Sequence, residues 1–267
     1  MRILFKLATR SRPDKFFACL QNIIENLADR ENYQILVSYD FDDDGTHRII
    51  YGANAYRNIV FDYNNIRTIQ GDSKNKIHAV NRDIEKVTDW DILINTSDDM
   101  LFTQHGFDDI IRKDMADNFP DLDGFLHYND GNQKSNVCTM SIMGRKYYER
   151  FNYIYHPDYK SVWCDVEATE VAYMLGKYKY KGDDKILFKH LHPAWGLAEY
   201  DEQYRKSENL DVWGEDLQIL LERKARHYDL NPKEIITNYK YPPSEMIKWQ
   251  SELNNARQNK GMQPIEF

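Results

Sequence analysis

The first hundred residues alternate between two hydrophobic rhythms. "RILFKLA" at 2–8 is an apolar run of strand length that ends at "TRSRPD". Ser11 and Pro13 then supply a helix start, and Phe16, Phe17, Leu20, Ile23, Ile24 and Leu27 recur with a 3.6-residue period. "YQILVSYD" predicts a second strand and "NIRTIQGD" a third. Ile77, Val80, Ile84 and Val87 fall on one face of a following helix. "DWDILINTSDDM" reads as a fourth strand whose consecutive apolar positions 92–94 suit burial on both faces. This alternation predicts a parallel α/β sheet.

The second half changes rhythm. "DGFLHYNDG" and "NVCTMSIMGRKYYERF" read as strands with a short helix, "SVWCDVEATEVAYMLGKY" as a helix, and "KILFKHLHPAWG" as a strand running into a loop. Beyond about residue 200 the chain is polar and helical, with Leu217, Leu220 and Leu221 as one stripe and "SEMIKWQSELNNAR" as a last helix. The expected organisation is an α/β unit over 1–200 followed by a helical C-terminal extension over 201–267.

Composition narrows the function. The chain has 267 residues, 42% of them hydrophobic and 29% charged, as expected of a globular protein. A net charge of −8 argues against general binding to nucleic acid, and an anionic substrate needs local Lys or Arg or a metal ion. Cys19, Cys138 and Cys164 are scattered and lack CxxC spacing, which suggests a reducing compartment and no zinc site. No apolar run nears the roughly 18 residues of a membrane span, and the N-terminal run is too short for a signal peptide, so the expected location is cytoplasmic.

Three polar clusters sit at predicted strand ends: "TRSR", "DFDDDGT" and "TSDD". Ligands in open α/β sheets gather outside the carboxyl ends of the strands. Asp40-x-Asp42-x-Asp44-Gly45 also reproduces half of an EF-hand loop, but the twelfth place is Tyr51 where a bidentate Glu is required, and the preceding segment is a strand. Asp98 and Asp99 are hard oxygen donors of the kind Mg²⁺ or Mn²⁺ takes, or else a turn or helix-capping pair.

The order of these residues resembles a GT-A-fold, family-2-type nucleotide-sugar glycosyltransferase. "LATRSRPDKFFACLQNI" matches a Thr-x-x-Arg segment through Thr9 and Arg12, with Arg10 between them. "VSYDFDDDGT" is similar to the family's Asp-x-x-x-Asp-Gly-Thr strand end, and "NKIHAVNRDI" to its Lys-x-x-Ala-x-Asn helix through Lys76, Ala79 and Asn81. "ILINTSDDML" stands at the Asp-x-Asp motif, with Thr96 replacing the first acid. The resemblance covers about residues 2 to 200 and implies a mostly parallel, Rossmann-like sheet, with 1–105 binding the donor and 106–200 the acceptor. It implies that Asp40 reads the nucleotide base, that Lys76 and Asn81 line the diphosphate, and that Asp98 and Asp99 share metal and ribose in either order. Asp42, Asp43 and Asp44 are expected to be solvated turn residues.

In the second half, "VWCDVEATEVAYMLG" resembles the family's Glu-Asp helix start, so Asp165 is the implied catalytic base, Cys164 replaces the glutamate, and Glu167 is the alternative base in the acceptor site. A helix cap is the other use of Asp165. His190 and His192, two apart on a predicted strand, face one way; the resemblance makes either a candidate ligand for Mn²⁺ or Mg²⁺, with His192 nearer the loop at Pro193. Trp195 is a candidate for stacking on an acceptor sugar. The implied activity is metal-dependent, inverting transfer from a nucleoside-diphosphate sugar (UDP or GDP) to a hydroxyl acceptor such as a glycan. A nucleotidyltransferase would need a glycine-rich loop after the first strand, which "TRSRPD" lacks. A non-catalytic calcium- or nucleotide-binding module is the other rival.

Overall fold

β1 (Ile3–Thr9), with nearly every one of its side chains buried, is an interior strand of the sheet. It pairs in parallel with β2 (Tyr33–Tyr39) on one side and with β4 (Ile92–Thr96) on the other, and β2 pairs in parallel with β3 (Ile66–Gln70). The computed structural model describes residues 1–52, 65–238, 240–241, 243–259 and 261–264. The four parallel strands are therefore as the periodicity predicts. β4 then pairs antiparallel with β7 (Ile142–Gly144), which pairs antiparallel with β6 (Phe125–His127); β6 closes the sheet in parallel with β8 (Tyr178–Tyr180). Among the described residues the order is β3-β2-β1-β4-β7-β6-β8.

Alternate β1 side chains feed two apolar layers. Ile3, Phe5 and Leu7 meet Phe16, Leu20 and Ile23 of α1 (Pro13–Asn26) and Phe107, Ile111 and Met115 of α4 (Phe107–Asn118). Leu4 faces the opposite layer, with Ile77 and Val80 of α3 (Lys76–Asn81) and, beyond them, Val171 of α6 (Cys164–Met174) and Leu217 of α8 (Leu210–Ala225).

The structure departs from the predicted elements in four places. The run 89–100 is two strands: a turn closed by the Met100 amide on the Ser97 carbonyl at 3.1 Å separates β4 from β5 (Met100–Phe102). The helix expected through Val87 stops after Asn81, because Arg82 is extended and Asp83 adopts φ 74°. β9 (Phe188–His190) leaves the main sheet to pair antiparallel with β5. The acidic turn opens a helix, α2 (Asp44–Tyr51), with Asp43 as its N-cap. The last helix, α9 (Pro243–Gln258), and a short α7 (Glu202–Ser207) complete the polar C-terminal stretch.

Candidate functional site

β1, β2 and β4 all end on the same edge of the sheet, and their turns bring Thr9, Arg12, Asp40, Asp98 and Asp99 to it. Asp98 is buried and accepts from the Thr9 hydroxyl at 2.9 Å and from the Arg12 guanidinium at 3.2 Å. Burial, and then the neighbouring Asp99 charge, raise the Asp98 carboxyl above its ordinary pKa despite these donors. Burial acts on Asp99 in the same direction, but His190, Ser97 and Tyr204 outweigh it and hold Asp99 ionised.

The β5–β9 pairing explains why a residue from late in the chain sits here. It sets Met100 opposite His190, and the His190 Nε2 lies 3.5 Å from Asp99. Burial lowers the His190 pKa, yet Asp99 more than compensates and the net shift is upward. Its Nδ1 is buried without a hydrogen bond, 4.0 Å from Asp130. His192 is not on the strand; it caps the short turn that contains Trp195 and meets Glu208 through Nε2 at 3.2 Å. Lys76, on α3, comes within 3.8 Å of the same Glu208. Asp165 is the second residue of α6, whose N-cap, Trp163, is a non-glycine residue at φ 63°. That strained turn is held by buried Asp216, which accepts the amides of Lys160, Ser161 and Val162 at 2.8–2.9 Å. Burial raises the Asp165 pKa, and Lys76 and His190 are close enough to oppose the shift.

At the other end of the cleft Asp40 is buried, 2.6 Å from Arg10 and 3.8 Å from Arg82. Asp42 takes the second Arg10 nitrogen from solvent. Asp43 is not solvated: it is 2% exposed, because its carboxylate is consumed by the Thr46 and Ser11 amides. No calcium loop forms, since these carboxylates diverge onto Arg10, a helix cap and the first turn of α2. Among the described residues no group of three or more His, Cys, Asp or Glu side chains converges as a ready metal cage.

Two expected site residues lie elsewhere. Glu167 is buried and gripped by Arg223 at 2.8 and 2.9 Å and by the Tyr159 hydroxyl at 2.8 Å, so neither oxygen is left for an acceptor. Asn81 spends its amide on the backbone of Ile154 and Tyr155. Trp195 is 46% exposed and free to meet a ligand. Four contributors escape the sequence motifs: Lys15, Asp201, Tyr204 and Glu208. The last three are the N-cap, an interior residue and the C-cap of α7.

No family model matches the chain, and no curated protein matches its sequence. Solved structures do. A mannosyltransferase from Pyrobaculum calidifontis, PcManGT, in complex with GDP-Man and Mn²⁺, superposes with TM-score 0.59 at 15% identity, over 96% of this chain and 70% of that chain. Residues 1–349 of S. aureus TarS in complex with UDP-GlcNAc superpose with TM-score 0.62 at 12% identity, over 98% and 74%. The architecture is therefore the GT-A fold shared with these proteins. Among the described residues, no helix is long and apolar enough to cross a membrane.

Proposed function

We propose that the protein is a glycosyltransferase that moves a sugar from a nucleoside-diphosphate donor to a hydroxyl acceptor with inversion. The observation that carries this reading is the convergence of Asp40, Arg12, Asp98, Asp99 and His190 at the carboxyl edge of a GT-A sheet. Both structural neighbours described above hold nucleotide-sugars in their structures, which supports the same class of donor here.

Asp40 accepts from the base at one end of the cleft, and Asp98, oriented by Thr9 and Arg12, faces the ribose side. Asp99 and His190 offer one oxygen and one nitrogen donor 3.5 Å apart, a set that suits Mn²⁺ or Mg²⁺ when substrate phosphates complete the coordination. His192 is one step further out, beside Glu208. A bound divalent ion would supply electrostatic stabilisation of the departing diphosphate. Asp165 then takes the acceptor's proton as its oxygen attacks the anomeric carbon, which requires an ionised carboxylate within about 3 Å of that hydroxyl. In this reading 1–105 serves the donor and the following residues the acceptor.

Titration with UDP, GDP and their sugars, with and without Mn²⁺, tests the reading by calorimetry, alongside release of free sugar. Saturable binding with metal-dependent sugar release is the expected result. Nucleotide binding without any turnover would leave only a binding module.

A further inference from the structure

The segment around α7 lies across the site on ion pairs. Asp201 places one oxygen 2.7 Å from Arg12 and the other 2.8 Å from Lys15. Three residues on, the Tyr204 hydroxyl donates to Asp99, while its ring lies beneath the Arg12 guanidinium, 4.1 Å from centroid to Cζ. Four residues further, Glu208 meets His192 at 3.2 Å and Lys76 at 3.8 Å. Two carboxylates of one short segment thus pair with Arg12, Lys15 and Lys76, three cations of the candidate donor site. A diphosphate entering beside them would meet like charge, whereas one replacing them would inherit their partners.

We infer that Arg12 and Lys15 form the cationic clamp for the donor's diphosphate, and that Asp201 of α7 is its internal stand-in, exchanged when the donor binds. The inference rests on the donor reading above and adds Lys15 to the site. The exchange is physically accessible. Lys15 and Asp201 side chains are 36% and 30% exposed, so water already screens that pair. Gly196, at φ 70°, precedes the segment and the Asn209 cap of α8 follows it. A helix of six residues between these two points can shift without unravelling a longer element.

The test uses inorganic pyrophosphate, UDP and GDP as probes. Asp201→Asn keeps the capping oxygen that receives the Gln203 and Tyr204 amides but removes the competing charge. Dissociation constants for all three probes should fall about two- to fivefold, the scale of releasing one part-exposed ion pair. Lys15→Gln should raise them. Hydrogen exchange over 201–208 in the wild type should speed up when UDP is added. Unchanged or weaker binding by Asp201→Asn, or slower exchange over α7 on adding UDP, would overturn the stand-in role and make α7 a fixed wall of the site. Absence of binding by every probe in every variant would instead overturn the donor reading, and this inference with it.

Discussion

The Asp43 carboxylate accepts the Ser11 amide at 2.8 Å through one oxygen and the Thr46 amide at 3.0 Å through the other. One buried side chain thereby joins the turn after β1 to the start of α2. Ser11 is held at φ 55°, a left-handed conformation that a non-glycine residue keeps only when its surroundings impose it. Arg10 and Arg12 flank it, so the geometry of both arginines depends on Asp43.

Asp43→Ala should therefore destabilise the fold by about 1–2 kcal/mol, the range for losing a capping side chain that also satisfies a second amide. Nucleotide affinity should fall with it, because Arg10 and Arg12 lose their fixed turn. Asp43→Asn should recover only part of the stability, because its single amide oxygen can replace one of the two acceptors and its NH₂ faces the other N–H. Urea unfolding of the three proteins measures this, and an Ala variant as stable as the wild type would contradict it.

Asp40 makes a different prediction. It is buried beside Arg10 and Arg82, and in the proposed reading its loss removes the charge-assisted acceptor for the base. Asp40→Ala should weaken UDP or GDP binding by about 1.5–3 kcal/mol. Asp42→Ala breaks only an exposed pair with Arg10 and should change affinity by less than about 1 kcal/mol. Calorimetry on both variants decides between them; equal losses would indicate a site read by the whole acidic turn.

Below this edge, Lys6 is fully buried in β1, and burial pushes its pKa down to about 7 against the pull of Asp83. Its ammonium donates to Ser38, whose hydroxyl donates to Asp83 at 2.8 Å. Between about pH 7 and the ordinary lysine value the unfolded chain binds a proton that the folded chain does not. Stability contributed by this group therefore rises with pH across that window, at up to about 1.4 kcal/mol per pH unit. The difference in unfolding free energy between wild type and Lys6→Met should grow in favour of the wild type from pH 7 to pH 10. A difference independent of pH would show that Lys6 keeps its proton in the folded chain across this range.

How much of this was legible follows from where each contact comes from. The parallel strands were readable because an apolar run reports its own burial, and "RILFKLA" and "DILIN" did so directly. The strand-end aspartates were readable because parallel topology puts those ends together. Asp43 is buried where the sequence suggests a solvated turn: its donors are the backbone N–H groups of Ser11 and Thr46, and backbone groups leave no trace in composition. Glu167 looked available because its partner Arg223 stands 56 residues away. His190 reaches Asp99 through a β5–β9 pair of three residues each, too short for periodicity to announce.

Asp165 and Glu167 are two residues apart and their environments assign them opposite roles. Glu167 is held by Arg223 and Tyr159 inside the α6–α8 contact, so removing its charge breaks a buried pair. Glu167→Ala should cost about 3–5 kcal/mol of stability, and the folded fraction should retain its rate. Among the described residues no side chain bonds Asp165 to fix its charge; its carboxylate accepts the Val166 amide at 2.9 Å. Asp165→Asn preserves size and that contact, so stability and donor affinity should stay close to wild type. Transfer should drop by at least about a hundredfold, the scale for a lost general base. Because burial raises the Asp165 pKa, wild-type transfer should fall off on the acid side at a higher pH than an ordinary carboxylate would give, and rise again as that carboxyl ionises. Rate and unfolding measured together on both variants separate the two roles. An Asn variant that turns over like the wild type would remove Asp165 as the base, and with Glu167 already enclosed, the proton would have to leave through another group in the cleft.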